Sequence, residues 1–447
     1  MTEKKTAAFP VYDVIVAGGG SAGTAAAVAS ARTGAKTLLI ESGGFLGGTV
    51  TDACLPTFSP FGNTSEPMIR GIGLEILERL RARAPLIPYY RDTPEKRLYT
   101  WFPIDSEAAK AVLDEMVTES GCDLLFYGRV TDCRCKDGRI GSVTVQTVAG
   151  PVQISAGQFI DCTGDGSLSA LAGCEIQYGD EDGEVQSATL CFKIANFDTE
   201  RFVRYARETG EGGNLFQACT RAIADGAFPE GETKVAGIAF PSPGVASLNF
   251  GHVFNVDPLD PISLTKAEIR GRALLPQLLA FLRGYVPGAE NAVIAASGPK
   301  LGIRESRRVM GKYVLTMQDY LNRADFPDAI AYYCYPVDIH RSSMHSEKNQ
   351  AYGEIYSKQR YKPGESYGVP FRCLIPRGMQ NLLTAGKIIS CDRAMQGSTR
   401  VVPCCFATGQ AAGTAAAMAS KAGIPSSQTD PGGLRRQLAA DGCNLKK

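Results

Sequence analysis

Histidine and tryptophan are nearly missing from this chain: three histidines and one tryptophan in 447 residues. Proton transfer near neutral pH therefore falls to His252, His340 and His345, or to other groups with displaced pKa values. No apolar run reaches the ~20 residues that a membrane-spanning helix requires, so no membrane segment is expected. No block of like charge exists either. Lys+Arg number 47 against 46 Asp+Glu, a net charge of +1, which gives no electrostatic ground for nucleic acid or an anionic membrane surface. The opening MTEKKTAAFP lacks the apolar core of a secretory signal and reads as a short tail. The 14 cysteines form no metal pattern: Cys133-x-Cys135 lacks a partner pair, so no metal is expected. Several of them (Cys162, Cys191, Cys404, Cys405) sit in apolar runs, the pattern of reduced core thiols in a cytoplasmic protein.

What is present organises itself around Val11 to Glu41. Val11, Val14, Ile15 and Val16 predict a buried strand. It runs into Gly18-Gly19-Gly20-Ser21-Ala22-Gly23, which fits G-x-G-x-x-G and opens an alanine-rich helix to about Thr33. Lys36 to Ile40 is a second strand, closed by Glu41. In such a unit Gly18 permits the tight turn, Gly20 lets the backbone approach a pyrophosphate, and Gly23 lets helix and strand pack closely. The helix N-terminus offers bare amides to negative charge. An acid about 20 residues past the turn is placed to accept from ribose hydroxyls. This is the pattern of a dinucleotide-binding βαβ unit.

The remaining chain is long enough for about two or three domains. Gly43-Gly44 and Gly47-Gly48 make a loop suited to passing close to a ligand. Cys54 has no second cysteine at dithiol spacing. A helix is predicted over 66–84, an irregular stretch over 85–104, and a helix after Asp105 or Ser106. Cys122 to Val130 reads as a strand, followed by a hairpin turning at Asp137-Gly138. Gly157 to Asp161 runs into Cys162-Thr163-Gly164-Asp165-Gly166, a second strand-to-glycine turn. That return implies a dinucleotide domain completed by discontinuous segments. From 175 the character changes to strands and helices of an α+β insert, with a helical hairpin expected over 264–288. Leu382 to Gly386 is again a strand running into glycine. Pro403 then begins an Ala/Gly-rich helix able to lie against the first one. The expected division is 10–174 and 366–425 for an α/β, Rossmann-like nucleotide domain, 175–365 for an inserted α+β substrate cap, and 426–447 for a C-terminal appendage.

In this order, the first glycine motif, FIDCTGDG, GIRESRRVMG, YPVDIH and LLTAGKIIS…GSTRVVPCCFATGQAAG resemble the FAD-dependent oxidoreductase family. That family lies in the glutathione-reductase-like FAD superfamily, here in the branch that includes fumarate-reductase-like flavoproteins. The resemblance runs from Val11 to about Gly423. It implies FAD as cofactor. Gly18, Gly20 and Gly23, with Ser21 and Ala22, would face the pyrophosphate. Glu41, with Ser42, would face the adenosine ribose, and Gly48 and Thr49 would border the phosphates. Val130 would hold the adenine edge with its backbone, and Thr163, Gly164 and Asp165 would lie beside the adenosine half. Gly386 and Lys387 would line the ribityl chain, although many relatives carry an acid where Lys387 stands. Amides near Val401 and Val402 would face the flavin ring. The iron–sulfur relatives are poor guides, because no C-x-x-C-x-x-C run exists.

The resemblance also brings YPVDIH near the flavin, making His340 the first acid–base candidate, with Asp338 to orient it and Tyr335 beside it. Arg304 and Arg308, if helical, share a face at i and i+4 and would clamp a carboxylate or the flavin itself. Arg372, Arg393 and Arg400 are further cationic candidates. The expected activity is oxidation or reduction of a small organic substrate by hydride transfer to or from the flavin. The alternative is FAD used without net redox turnover, in a lyase or isomerase or as a structural ligand. No second glycine motif marks a nicotinamide site, so the electron acceptor or donor is unidentified. Self-association as a homo-oligomer is not fixed by the sequence.

Overall fold

The computed structural model describes residues 9–83, 101–232, 234–344 and 359–447. The strand Tyr12–Ala17, the helix Ser21–Arg32 and the strand Thr37–Ile40 follow one another, with the strands parallel and Ala17 opposite Ile40. Both faces of this strand pair are covered. Val14, Val16 and Leu39 face a helical layer, whereas Ile15, Leu38 and Ile40 face a β-hairpin carrying Val143 and Val145. Two-sided burial explains why these strands read as unbroken apolar runs rather than as an alternation.

The strand Gly150–Asp161 belongs to two arrangements. Its first half pairs antiparallel with Arg139–Thr147, and its second half runs parallel to Tyr12–Ala17. On its other side Leu382–Thr384 adds a parallel strand, with Leu383 opposite Ile160. Together with Asp123–Leu125 and Arg129–Lys136 they form a seven-stranded sheet. The nucleotide domain is therefore closed by a segment from far later in the chain.

The helix Val402–Ala422 lies along Ser21–Arg32. At Gly409 and Gly413 the contact is backbone to backbone: a Cβ there would collide with the carbonyls of Ala22 and Ala26. Small residues in both helices allow this approach, and it holds the N-termini of two helices beside one another. Residues after Gly423 join the same core, since Leu434 and Leu438 of the helix Pro431–Ala440 are buried in it.

The insert has its own core. A four-stranded antiparallel sheet, ordered Gly237–Ser242, Val245–Asn249, Phe192–Ala195 and Val293–Ser297, packs with three helices around Phe192, Phe202, Phe240, Phe250 and Phe281. An α/β Rossmann-like core of discontinuous segments with an inserted cap is thus the architecture. Among the described residues no single helix is long and apolar enough to cross a membrane.

Several local expectations change. The helix expected from 66 begins only at Ile72, because Pro67 and the left-handed Gly71 (φ +61°) precede it. The stretch 84–100 lies outside the described residues. Cys122 to Val130 is not one strand: Asp123–Leu125 ends at a turn with Tyr127 left-handed, and a new strand starts at Arg129. The expected helical hairpin is one 25-residue helix, Pro261–Tyr285, with Pro276 inside it. An interior proline removes one helical hydrogen bond, a cost of about 3 kcal/mol. Here the buried face (Ala267, Gly271, Leu278, Phe281, Leu282) continues through the proline, and tertiary packing holds the helix together.

Candidate active site

The first glycine turn has the shape a diphosphate needs. A Cβ on Gly18 or Gly23 would meet backbone, while one on Gly20 would meet only the Gly48 Cα at 3.9 Å. The helix that follows has no side-chain cap and no acid in its first turn, so Ser21, Ala22 and Gly23 begin it with bare amides. Gly47 pairs with Gly20 as an isolated parallel bridge, which brings Gly48 to the same place. Ser42 and Thr49 stand exposed at this rim.

Glu41 is buried, and its carboxylate ties two turns together. Oε2 accepts from the Gly19 N–H at 2.7 Å, and Oε1 accepts from the Gly43 N–H at 2.6 Å and the Ser42 hydroxyl at 3.0 Å. A carboxylate offers about four lone-pair sites, so a ribose hydroxyl still finds an acceptor. The Gly128 N–H donates to the Glu41 carbonyl at 3.0 Å, setting the Val130 strand beside that acid. Glu41→Ala should weaken FAD retention by roughly 1.5–3 kcal/mol, the worth of charged hydrogen bonds. Fluorescence titration of apoprotein with FAD checks this, and an unchanged affinity would place the ribose elsewhere.

At the end of the central strand, Asp161 accepts from the Thr163 N–H (3.0 Å) and hydroxyl (2.7 Å) and from the Ser169 N–H and hydroxyl (both 2.7 Å). This folds Thr163, Gly164 and Asp165 back over the Gly18 turn. Gly386, left-handed at φ +84°, donates its N–H to the Thr408 hydroxyl at 3.0 Å and lies against Ala22. Lys387 crosses over Gly164 and donates from Nζ to the Ile303 carbonyl at 2.7 Å. Val401 caps the helix Val402–Ala422 without a side-chain bond, leaving its first amides open.

Burial drives the Lys387 ammonium down to about 8, with Asp165 pulling the other way. Its folded pKa is thus depressed below the ordinary 10.5, and the cation is penalised in the fold at every pH below about 8. The penalty is relieved as pH rises toward the unfolded value, a gain of roughly 3 kcal/mol across that window. Lys387→Met apoprotein should therefore be the more stable protein at pH 7, and the difference should close at the alkaline end. Paired urea titrations read it, and a pH-independent difference would show that Lys387 is not held as a buried cation.

Beyond Lys387 the cap and the nucleotide domain meet in a cluster of buried charge. Arg304, 9% exposed, donates to the Ser187 carbonyl at 2.7 Å, the Thr189 hydroxyl at 2.9 Å and Asn249 Oδ1 at 3.4 Å. All three partners are neutral, and among the described residues no carboxylate pairs with it. Burial, and next the nearby Arg400, lower its guanidinium to about 10. Arg400 donates to the Asp338 carbonyl at 3.0 Å and carboxylate at 3.2 Å, while its buried Nε has no partner among the described residues. His340 places Nε2 3.4 Å from Asp338 Oδ2 and Nδ1 2.9 Å from His252 Nε2. Gln186 takes the His340 backbone N–H at 3.0 Å and donates to Gln396, which in turn donates to the Arg304 carbonyl.

Of the residues singled out from sequence, Arg304, Tyr335, Asp338, His340 and Arg400 lie in or beside this cluster. Tyr335 is buried, packed on Tyr333 and edge-on to Trp101, and burial, then Asp338, raise its phenol. Arg372 is elsewhere: its guanidinium is bidentate to Asp328 at 2.9 and 3.1 Å and lies over the Tyr313 ring. Arg304 and Arg308 share no helix face, because residues 303–306 are irregular and Arg307–Val309 is a strand. Arg308 instead pairs with Glu305 at 2.9 Å, and Arg393 pairs with Asp180 and Glu305. His345 lies outside the described residues. Glu232, Gln186 and Gln396 had no sequence signal. His252 had one, the rarity of histidine itself.

The family model described as FAD dependent oxidoreductase matches residues 13–438. Among curated proteins, the chain is 27% identical over 200 residues to digeranylgeranylglycerophospholipid reductase 2 of Methanothermobacter thermautotrophicus, covering 42% of this chain and 48% of that protein. It is 48% identical over 58 residues to digeranylgeranylglycerophospholipid reductase of Methanocaldococcus jannaschii, 13% and 15% of the two chains. The chain thus spans about half the length, or less, of the curated relatives it matches. Among solved structures, p-nitrophenol 4-monooxygenase from Pseudomonas putida matches with TM-score 0.53 and 11% identity over 98% of this chain and 90% of that one. A flavin-dependent halogenase matches with TM-score 0.50 and 12% identity, over 97% and 62%. At such identities the likeness is one of fold.

Proposed function

As this chain belongs to the FAD dependent oxidoreductase family, we propose that it is an FAD-dependent redox enzyme of a small organic substrate, a carboxylate held by Arg304 and Arg400. The observation that carries the reading is Arg304, a buried guanidinium whose hydrogen-bond partners are all neutral. A desolvated cation is costly unless paired. Its planar fork suits a carboxylate bidentately, and the unpartnered Nε of Arg400 adds a donor beside it. FAD, once bound, supplies the two-electron acceptor or donor. The residues of the chain position the substrate, exclude water and move a proton. His340 is the proton partner, because its Nε2 contact to Asp338 is long and is the weaker of its two ring contacts. Gln186 and Gln396 hold the backbones of His340 and Arg304 in register.

The order of late motifs supports placement in the fumarate-reductase-like branch, and the curated relatives are reductases by name. Both favour a double bond activated by the carboxylate as the reacting group. The test is anaerobic flavin spectroscopy, in both directions, against hydroxy acids, dicarboxylates, unsaturated acids, sugars and amines. Carboxylates should change the flavin spectrum within the mixing experiment. Turnover with neutral sugars or amines and none with acids would refute the assignment.

A further inference from the structure

Behind His340 runs a line of titratable groups that the substrate site itself does not use. Glu232, in a cap loop, places Oε2 2.9 Å from His252 Nδ1 and also accepts the His252 backbone N–H. His252 Nε2 is 2.9 Å from His340 Nδ1, and His340 Nε2 faces Asp338 at 3.4 Å. The side chains of His252, Glu232 and His340 are 14%, 4% and 15% exposed, so water does not replace the two 2.9 Å contacts, whereas Asp338, 41% exposed, ends the line at solvent. The charges facing the line are Arg304, Arg400 and, beside Glu232, Arg341, whose guanidinium donates to the Gly231 carbonyl. Phe254 stacks on the His252 ring.

Three contacts join four groups, and each contact needs one proton. Ionised carboxylates only accept, so His252 Nδ1 carries a hydrogen toward Glu232. A lone pair on His340 Nε2 would be repelled by the Asp338 carboxylate, so that nitrogen carries one too. Two neutral imidazoles are then exhausted, and the 2.9 Å contact between the rings has no hydrogen. Moving a proton onto Glu232 changes its place and not the count. We infer that Glu232, His252, His340 and Asp338 form a proton chain that holds three protons at rest, one more than two neutral imidazoles carry, and releases one to the substrate through His340 Nε2.

Burial, then the Arg304 guanidinium, push His340 well below the ordinary imidazole range, although Asp338 pulls the other way. Burial acts to raise Asp338, but His340, Arg400 and Arg304 outweigh it and keep that carboxyl ionised. His252 lies between a carboxylate and the second ring, both at 2.9 Å, and the third proton sits there. Release breaks the His340 Nε2–H bond and forms a bond from that proton to a carbon of the substrate. Reduced flavin, when bound, would supply the electron pair for the adjacent carbon. In the same step the His252 Nε2 proton passes to His340 Nδ1, so that no imidazolate forms and two neutral rings remain, and a proton from solvent refills the chain. At rest the chain is an acid, so the direction it is set for is reduction. The release step rests on the substrate site proposed above, whereas the proton count does not.

The test uses the holoenzyme without substrate, labelled with 15N-histidine. With three histidines the spectrum is sparse, and His252→Gln and His345→Gln variants assign it. At pH 7 the wild type should show one ring with both nitrogens protonated, belonging to His252. In Glu232→Gln that signature should be lost at pH 7. Two neutral rings in the wild type at pH 7 would overturn the inference, whether or not the variant folds. An imidazolium that Glu232→Gln leaves untouched would also overturn it. A His252 imidazolium in an enzyme that ignores carboxylates would keep the chain and discard the substrate assignment.

Discussion

Arg304→Met is expected to remove carboxylate-driven flavin chemistry by roughly 10²–10³-fold in kcat/KM, equivalent to breaking a buried charged contact of about 3–4 kcal/mol. FAD content should be unchanged, because among the described residues the side chain bonds only to Ser187, Thr189 and Asn249, none of them in the nucleotide cradle. Stability should move little. The guanidinium is depressed to about 10, so its charged form is penalised in the fold at every working pH below that value. Methionine fills similar volume and relieves that penalty, while three acceptors lose a donor. The two effects oppose, and the unfolding free energy should change by no more than about 2 kcal/mol. A structural arginine would behave oppositely, with a large loss of stability and substrate chemistry retained. Urea titration beside anaerobic flavin kinetics separates the two cases.

The nucleotide half was legible because its physics is local. Strand, glycine turn and helix occupy contiguous residues, and Gly23 answers to the Gly18 carbonyl within that unit, while Gly18 meets Cys162 and Thr163 and Gly20 faces Gly48. The return of the chain to the sheet was visible in the second and third strand-to-glycine runs, ending at Gly164 and Gly386. The meeting of the two alanine-rich helices followed from residue size alone. The acid–base side was less legible because it is assembled from five distant places. Gln186, Glu232, His252, Arg304 and Asp338 carry no mutual spacing that period or motif would reveal. Arg304 and Arg308 misled in an instructive way: i and i+4 spacing has meaning only in a helix, and this segment runs as an irregular stretch into a strand. Arg372 misled because a side chain as long as arginine reaches several targets. Its partner, Asp328, is 44 residues away in sequence. Pro276 illustrates the reverse error, in which a local breaking signal was outweighed by a buried face continuing past it.

His340→Asn is the sharper test of chemistry. Asparagine keeps an oxygen that accepts from His252 Nε2 and leaves the backbone bond to Gln186 in place. Folding and FAD binding should therefore stay within about 1–2 kcal/mol of wild type, the scale of a single exchanged hydrogen bond. What asparagine lacks is a nitrogen that gains and loses a proton, so the flavin step should slow by roughly 10²–10⁴-fold. The pH profile adds a second reading. An unperturbed imidazole would titrate near neutrality, but burial and Arg304 hold His340 well below that range. A carboxylate seated on Arg304 offsets one of the charges that depresses it, so substrate binding itself makes His340 a better proton acceptor. His340→Asn should flatten any limb that the wild type shows near neutrality. Anaerobic stopped-flow on both proteins across the neutral range measures rate and profile together. Equal rates would make His340 a structural bridge between His252 and Asp338 and would leave Tyr335 as the next proton partner to examine.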